Sequence, residues 1–104
     1  MNKKLLSLKI TNIYVSGNSY FSDQYIIELA GIENYPQTLL NTSGSIKSKI
    51  NNSIYITSSN VKKKWLTQIY ISVIENRPLF YDNINAHTVL SDGSNAFDTF
   101  NLPI

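Results

Sequence analysis

The side chains in this 104-residue sequence that could do chemistry are few, and no group of them has the spacing of a reaction centre. An enzyme would need a nucleophile with its base, or a convergent pair of carboxylates. The seven acids are Asp23, Glu28, Glu33, Glu75, Asp82, Asp92 and Asp98. Three of them have plainer readings: Asp23 as a helix-dipole partner, Glu28 as part of an exposed helix face, and Glu75 as a local ion pair with Arg77. His87 is the only histidine, and Asp82 and Asp92 lie close to it in sequence. A lone histidine in a polar loop reads as exposed, and the three lack the spacing of a dedicated metal site. There is no cysteine, so thiolate catalysis, thiolate ligation and disulfides are all excluded. Gly17, Gly31, Gly44 and Gly93 are isolated, which leaves no phosphate-binding loop. The glycosylation-type triplets at 41–43 and 51–53 are the chance matches of a chain with 13 asparagines. The sequence is therefore read as non-catalytic, with no catalytic residues, no metal and no cofactor.

Recognition chemistry is better represented. Lys62, Lys63 and Lys64 run into Trp65, with Tyr55 and Tyr70 nearby. A basic, aromatic surface of this kind suits nucleic acid. A net charge of only +2 gives no broad electrostatic footprint, however, so the expectation is no nucleic acid. The lysines offer at most an auxiliary contact to an anionic membrane surface. A plainer reading is an edge strand, where lysine guards against edge-to-edge aggregation. Asn60, Val61, Lys62, Lys63, Lys64 and Trp65 are the candidate partner-binding residues on that edge.

The element that must carry them is a hairpin over residues 61–78. One extended run ends at Trp65, the chain breaks at Leu66-Thr67-Gln68, and a second run fills 69–74. In the second run Ile69, Ile71 and Val73 share one face, and Tyr70, Ser72 and Ile74 share the other. One apolar face and one mixed face suit the centre of a small sheet. In the first run Lys62 and Lys64 point to solvent. Pro78 has no N–H to donate and stops the ladder after Arg77.

Upstream, residues 8–15 are expected to form a strand, closed by Ser16-Gly17-Asn18. A helix is predicted over 23–30. Ser22 caps its start, Phe21 and Ile26 take the staple positions, and Gly31 stands at the left-handed position after its end. Residues 33–40 read as a connector with Leu39 and Leu40 tucked inward. A second helix over about 42–52, capped by Asn41 or Thr42, buries Ile46 and Ile50. Beyond Pro78, residues 79–81 and 88–90 are candidate short strands, with a turn at Ser91-Asp92-Gly93. Two short strands cannot bury a core alone, so this tail reads as the start of a larger β unit.

Hydrophobic residues make up 42% and charged residues 15% of the chain, which fits a single globular domain of modest core. Met1 to Leu6 has the basic start of a signal peptide, but its apolar run stops at Ser7, short of the roughly 7–15 residues such a segment needs. No stretch approaches the ~20 apolar residues of a membrane span. The order strand, helix, helix, strand, strand gives an α+β fold, a three-stranded mixed sheet with two helices packed on one face.

That order, with these residues, resembles the POTRA domain of the FtsQ/DivIB family of bacterial cell-division proteins. Residues 13–18, IYVSGN, resemble the family's I-x-V-x-G-N opening. Phe21-Ser22-Asp23, Ile26-Ile27 and Ala30-Gly31-Ile32 resemble its first helix. Ile54-Tyr55-Ile56 is similar to its P-Y-I, residues 61–65 to its V-x-R-x-W/F-P, and residues 71–78 to its I-x-V-x-E-R-x-P. Leu66 and Ile54 stand where the family has proline. The resemblance implies a POTRA domain over residues 8–78 and a partial β domain over 79–104, of which Val89 to Gly93 and Asn101 to Ile104 look like fragments. It further implies an extracytoplasmic, non-catalytic domain of a membrane-anchored divisome protein, here without its transmembrane helix. The implied partners are FtsL-like and FtsB/DivIC-like division proteins, met by strand addition at residues 60–65. Two other readings are a POTRA domain of an outer-membrane assembly or secretion protein, and a small nucleic-acid-binding α+β domain.

Overall fold

The computed structural model describes residues 7–97, so the N-terminal lysines, Asp98 and the Asn101 to Ile104 motif lie outside the described residues. Strand β1 (Asn12–Ser16) is followed by helix α1 (Asp23–Ala30), a 3-10 turn (Thr38–Leu40) and helix α2 (Ser43–Asn51). The hairpin is β2 (Ile56–Lys64) and β3 (Gln68–Glu75), and three short strands come last: β4 (Pro78–Asp82), β5 (His87–Leu90) and β6 (Asn95–Ala96). The strands form two sheets, ordered β1-β3-β2 and β4-β5-β6. β3 runs parallel to β1 and antiparallel to β2, so the first sheet is mixed and β3 is its centre. The α+β, POTRA-like expectation therefore holds.

Helix α1 has the predicted bounds because both ends are marked locally. The Ser22 hydroxyl accepts the Tyr25 N–H, and Gly31 closes the helix at φ 72° with its N–H donated to the Glu28 carbonyl. Thr42 caps α2 in the same way, accepting from the Ser45 N–H. Ile26, Ala30, Ile46 and Ile50 from the helices meet Ile56, Val61, Ile69, Ile71 and Val73 from the sheet in one core. That burial, worth roughly 1.5–3 kcal/mol for each large aliphatic side chain, holds the otherwise weak α2 in place.

Four expectations are corrected, the last of them at Glu75. The strand expected from residue 8 begins at Asn12. Before it, the Ile10 N–H donates to Pro36 and the Thr38 N–H to Leu8, so this segment pairs with the connector. Ile10 is buried from there, on the opposite parity from Ile13 and Val15. Leu39 and Leu40 are exposed, Leu40 to 70%. The 3-10 turn buries Thr38 instead, whose hydroxyl donates to the Leu66 carbonyl. Trp65 lies outside β2, in the turn: it and Leu66 have φ of 56° and 65°, the left-handed pair of a tight hairpin, and Trp65 is 80% exposed.

Glu75 makes no ion pair with Arg77. Its carboxylate accepts the backbone N–H groups of Ser19, Tyr20 and Phe21 at 2.7–3.0 Å and the Ser19 hydroxyl at 3.0 Å. Burial raises the pKa of this carboxyl, but the Phe21, Tyr20 and Ser19 donors outweigh it and hold the group below its usual range. A depressed folded pKa gives stability that is fully present above the unfolded value, about 4.3, and is lost as pH falls through the folded value. Glu75→Gln should therefore cost about 1–2 kcal/mol at pH 7, a partly exposed version of charged hydrogen bonding. The difference from wild type should shrink toward zero in urea titrations taken below about pH 4.

Candidate functional site

Among the first sheet's strands, β2 and β1 are edges, and β2 is the longer at nine residues. Every second residue of an edge strand turns its N–H and C=O away from the sheet, so β2 offers a row of backbone groups to another extended chain. Asn60, Val61, Lys62, Lys63 and Lys64 all lie on this strand, and Trp65 stands just beyond it. Their side chains divide between two faces. Val61 is buried against the helices. Lys63 follows it on that side, donating its ammonium to the Thr38 carbonyl at 2.5 Å. Burial there pulls the Lys63 pKa below the ordinary lysine value. Asn60, Lys62 and Lys64 are exposed on the opposite, open face.

The register sets that open face out in rows. Lys64 is opposite Gln68, which is opposite Asn12; Lys62, Tyr70 and Tyr14 form the next row, and Asn60, Ser72 and Ser16 the third. The Tyr14 and Tyr70 rings stack with centroids 4.8 Å apart. A shallow hollow of about 270 Å³ runs over the second and third rows, and another of about 410 Å³ is lined by Lys62, Lys63, Lys64 and Tyr70. No carboxylate belongs to the rows, and among the described residues neither lysine lies within 4.0 Å of one. The face is cationic, aromatic and polar, with no group set to attack or transfer a proton.

The other candidate residues do not converge. Asp82 accepts from the Ile84 and Asn85 N–H groups and the Asn85 amide, with His87 3.9 Å away at the same end of the β4–β5 hairpin. The Asn85 contacts lead in holding the Asp82 pKa low. Asp92 is at the hairpin's other end, accepting from the Ser94 N–H. Among the described residues, no three His, Cys, Asp or Glu side chains could hold a metal ion. Asp23 accepts from the Asn18 amide at 2.6 Å, and Glu28 from Gln24.

Sequence reasoning missed Asn76. Only 1% exposed, it donates its amide to the Ile54 carbonyl at 2.7 Å and to the Ser94 hydroxyl at 3.2 Å. Its carbonyl accepts the Ser91 hydroxyl and the Asp92 N–H. One side chain thus ties the end of the first sheet to the turn of the second. The only sequence signal was its place between Glu75 and Pro78, inside the motif that ends β3.

The family model described as POTRA domain, FtsQ-type, matches residues 8–76. The match takes in β1, both helices, β2 and β3, and ends at Asn76. No curated protein matches the chain.

Proposed function

We propose, from the premise that the chain belongs to the FtsQ-type POTRA family, that it is a non-catalytic protein-interaction domain of a bacterial division protein, and that it takes partner segments by strand addition along β2. The family supports a protein-interaction role in cell division. The observation that carries the mode of binding is the β2 edge, unpaired on its outer side among the described residues, nine residues long and paired on its inner side with a central strand packed into the core. Main-chain hydrogen bonds along such an edge supply affinity, and alternate side chains supply specificity.

In this reading the domain works on the extracytoplasmic face of the cell membrane, as part of a membrane-anchored protein that scaffolds septum formation. No helix among the described residues is long and apolar enough to cross a membrane. The partners are the extracellular segments of FtsL-like and FtsB/DivIC-like proteins. Residues 8–78 are the POTRA domain, and residues 79–104 begin a β domain. The support for that division is β4, an edge of the second sheet whose Leu79 and Phe80 are each more than half exposed.

The test is an NMR titration of isotope-labelled chain with those extracellular segments from the same organism. Shifts concentrated at residues 56–64 are the expected result. Shifts confined to residues 78–97 would move recognition to the second sheet, and the absence of any shift would overturn the proposal.

A further inference from the structure

The open face is neutral on β1 and β3 and cationic on β2. In the three rows, β1 contributes Asn12, Tyr14 and Ser16, and β3 contributes Gln68, Tyr70 and Ser72. All the charge sits on Lys62 and Lys64, two residues apart on the strand that ends the sheet. A strand added to that edge would place its own side chains directly opposite these two, at the ~4.5–5.5 Å Cβ separation of cross-strand neighbours. Like charges at that distance repel and opposite charges attract. On the other side of the strand the chemistry is different. Val61 is buried, and the Lys63 ammonium is already held by the Thr38 carbonyl, so its aliphatic stem and Val61 are what a neighbour would meet there.

We infer that the segment recognised by β2 is an acidic extended peptide of period two: carboxylates at alternate positions facing Lys62 and Lys64, with apolar residues on its other face, the one between the carboxylates opposite the Lys63 stem and the next opposite Val61. This rests on the strand-addition reading and gives that reading a partner chemistry. Lys62 and Lys64 are the specificity residues, since among the described residues no carboxylate of the chain satisfies them within 4.0 Å. Lys63, although it stands between them, contributes no charge to the choice, because it faces the other way and is engaged.

The probe is a nine-residue peptide, Ser-Gly-Thr-Val-Glu-Val-Glu-Val-Thr, compared by NMR titration with versions carrying Gln or Lys in place of both Glu residues. The Glu peptide should shift amides of residues 58–64 and bind about three- to tenfold more tightly than the Gln peptide at low salt. That ratio should contract as ionic strength rises, since the pairs are exposed. The Lys62→Glu/Lys64→Glu double variant, whose fold a heteronuclear correlation spectrum checks, should reverse the preference in favour of the Lys peptide.

Equal binding of the Glu and Gln peptides at β2 would overturn the inference while leaving strand addition intact. No shift with any peptide would remove both. A Glu peptide that moves Tyr14, Tyr70 and Ser72 but not β2 would place acid recognition on the sheet face and overturn the edge assignment. Phosphatidylglycerol vesicles provide the last arm: if they capture the wild type but not the double variant, and the Glu peptide shows no preference, the lysine pair is a membrane contact and the inference falls.

Discussion

Gly17→Ala is expected to destabilise the domain by about 2–4 kcal/mol, enough to lower the thermal midpoint by on the order of 10 °C or more. Two effects act together. Gly17 has φ +85°, where a side chain is strained. A Cβ at that position would also lie 2.1 Å from the Val73 carbonyl oxygen. That oxygen belongs to the backbone of the central strand, which is fixed by neighbours on both sides and cannot yield. The damage should spread along the loop, because residues 19–21 deliver the N–H groups that Glu75 binds. Gly44→Ala is the internal control. Gly44 is in α2 with nothing within 4 Å of the added atom, so this substitution should stabilise by about 0.5–1 kcal/mol. Urea melts of the two variants against wild type check both signs at once.

Asn76→Leu should be comparably costly, at about 3 kcal/mol. The replacement is close in size but removes four side-chain hydrogen bonds, leaving the Ile54 carbonyl and the Asp92 N–H without their partner. A buried polar group left unpaired costs ~1–3 kcal/mol, and the Ser91 and Ser94 hydroxyls can turn toward water, which keeps the total in the lower half of the range for two such groups. Spectra should show the largest changes at Ile54, Tyr55 and residues 91–94. Asn76→Asp tests the same contacts differently. A carboxylate against the Ile54 carbonyl disfavours the charged form, so this variant should recover stability as pH falls and the acid protonates, opposite in sign to the loss predicted for wild type through Glu75.

What the sequence disclosed follows from how local each signal is. Helix α1 was legible to the residue, because Ser22 and Gly31 act on groups within a turn of themselves. The central place of β3 was legible from the alternation of Ile69, Ile71 and Val73, and the edge place of β2 from its lysines. Trp65 reads as strand in the sequence because aromatic side chains favour extended backbone, while a left-handed Trp-Leu turn carries none of the Gly or Asn that mark such turns. The start of β1 is not legible in the sequence because Ile10 is buried through a pairing with the connector, which strand periodicity does not encode. Least legible was the cluster around Glu75, whose partners lie 54–56 residues away. It joins two motifs read separately in the sequence: the Gly17-Asn18 turn that leads into the loop and the Glu75-Asn76-Arg77-Pro78 strand end. In the candidate site, the positions of Lys62 and Lys64 were readable, whereas the contrast with Lys63 depends on Thr38, 25 residues upstream.

The placing of β3 between β1 and β2 also governs how this chain can be made. Asn12 must wait for Gln68, and Ser16 for Ser72, so the first strand to be synthesised pairs with the last strand of its sheet. Contacts of such long sequence separation slow folding, because the intervening loop must close before any of its interactions are gained. Until residue 75 has left the ribosome, the nascent chain holds two helices and two strands with no strand between them. The domain therefore cannot be assembled in instalments, and a chain cut short within β3 loses the sheet as a whole rather than its final residues.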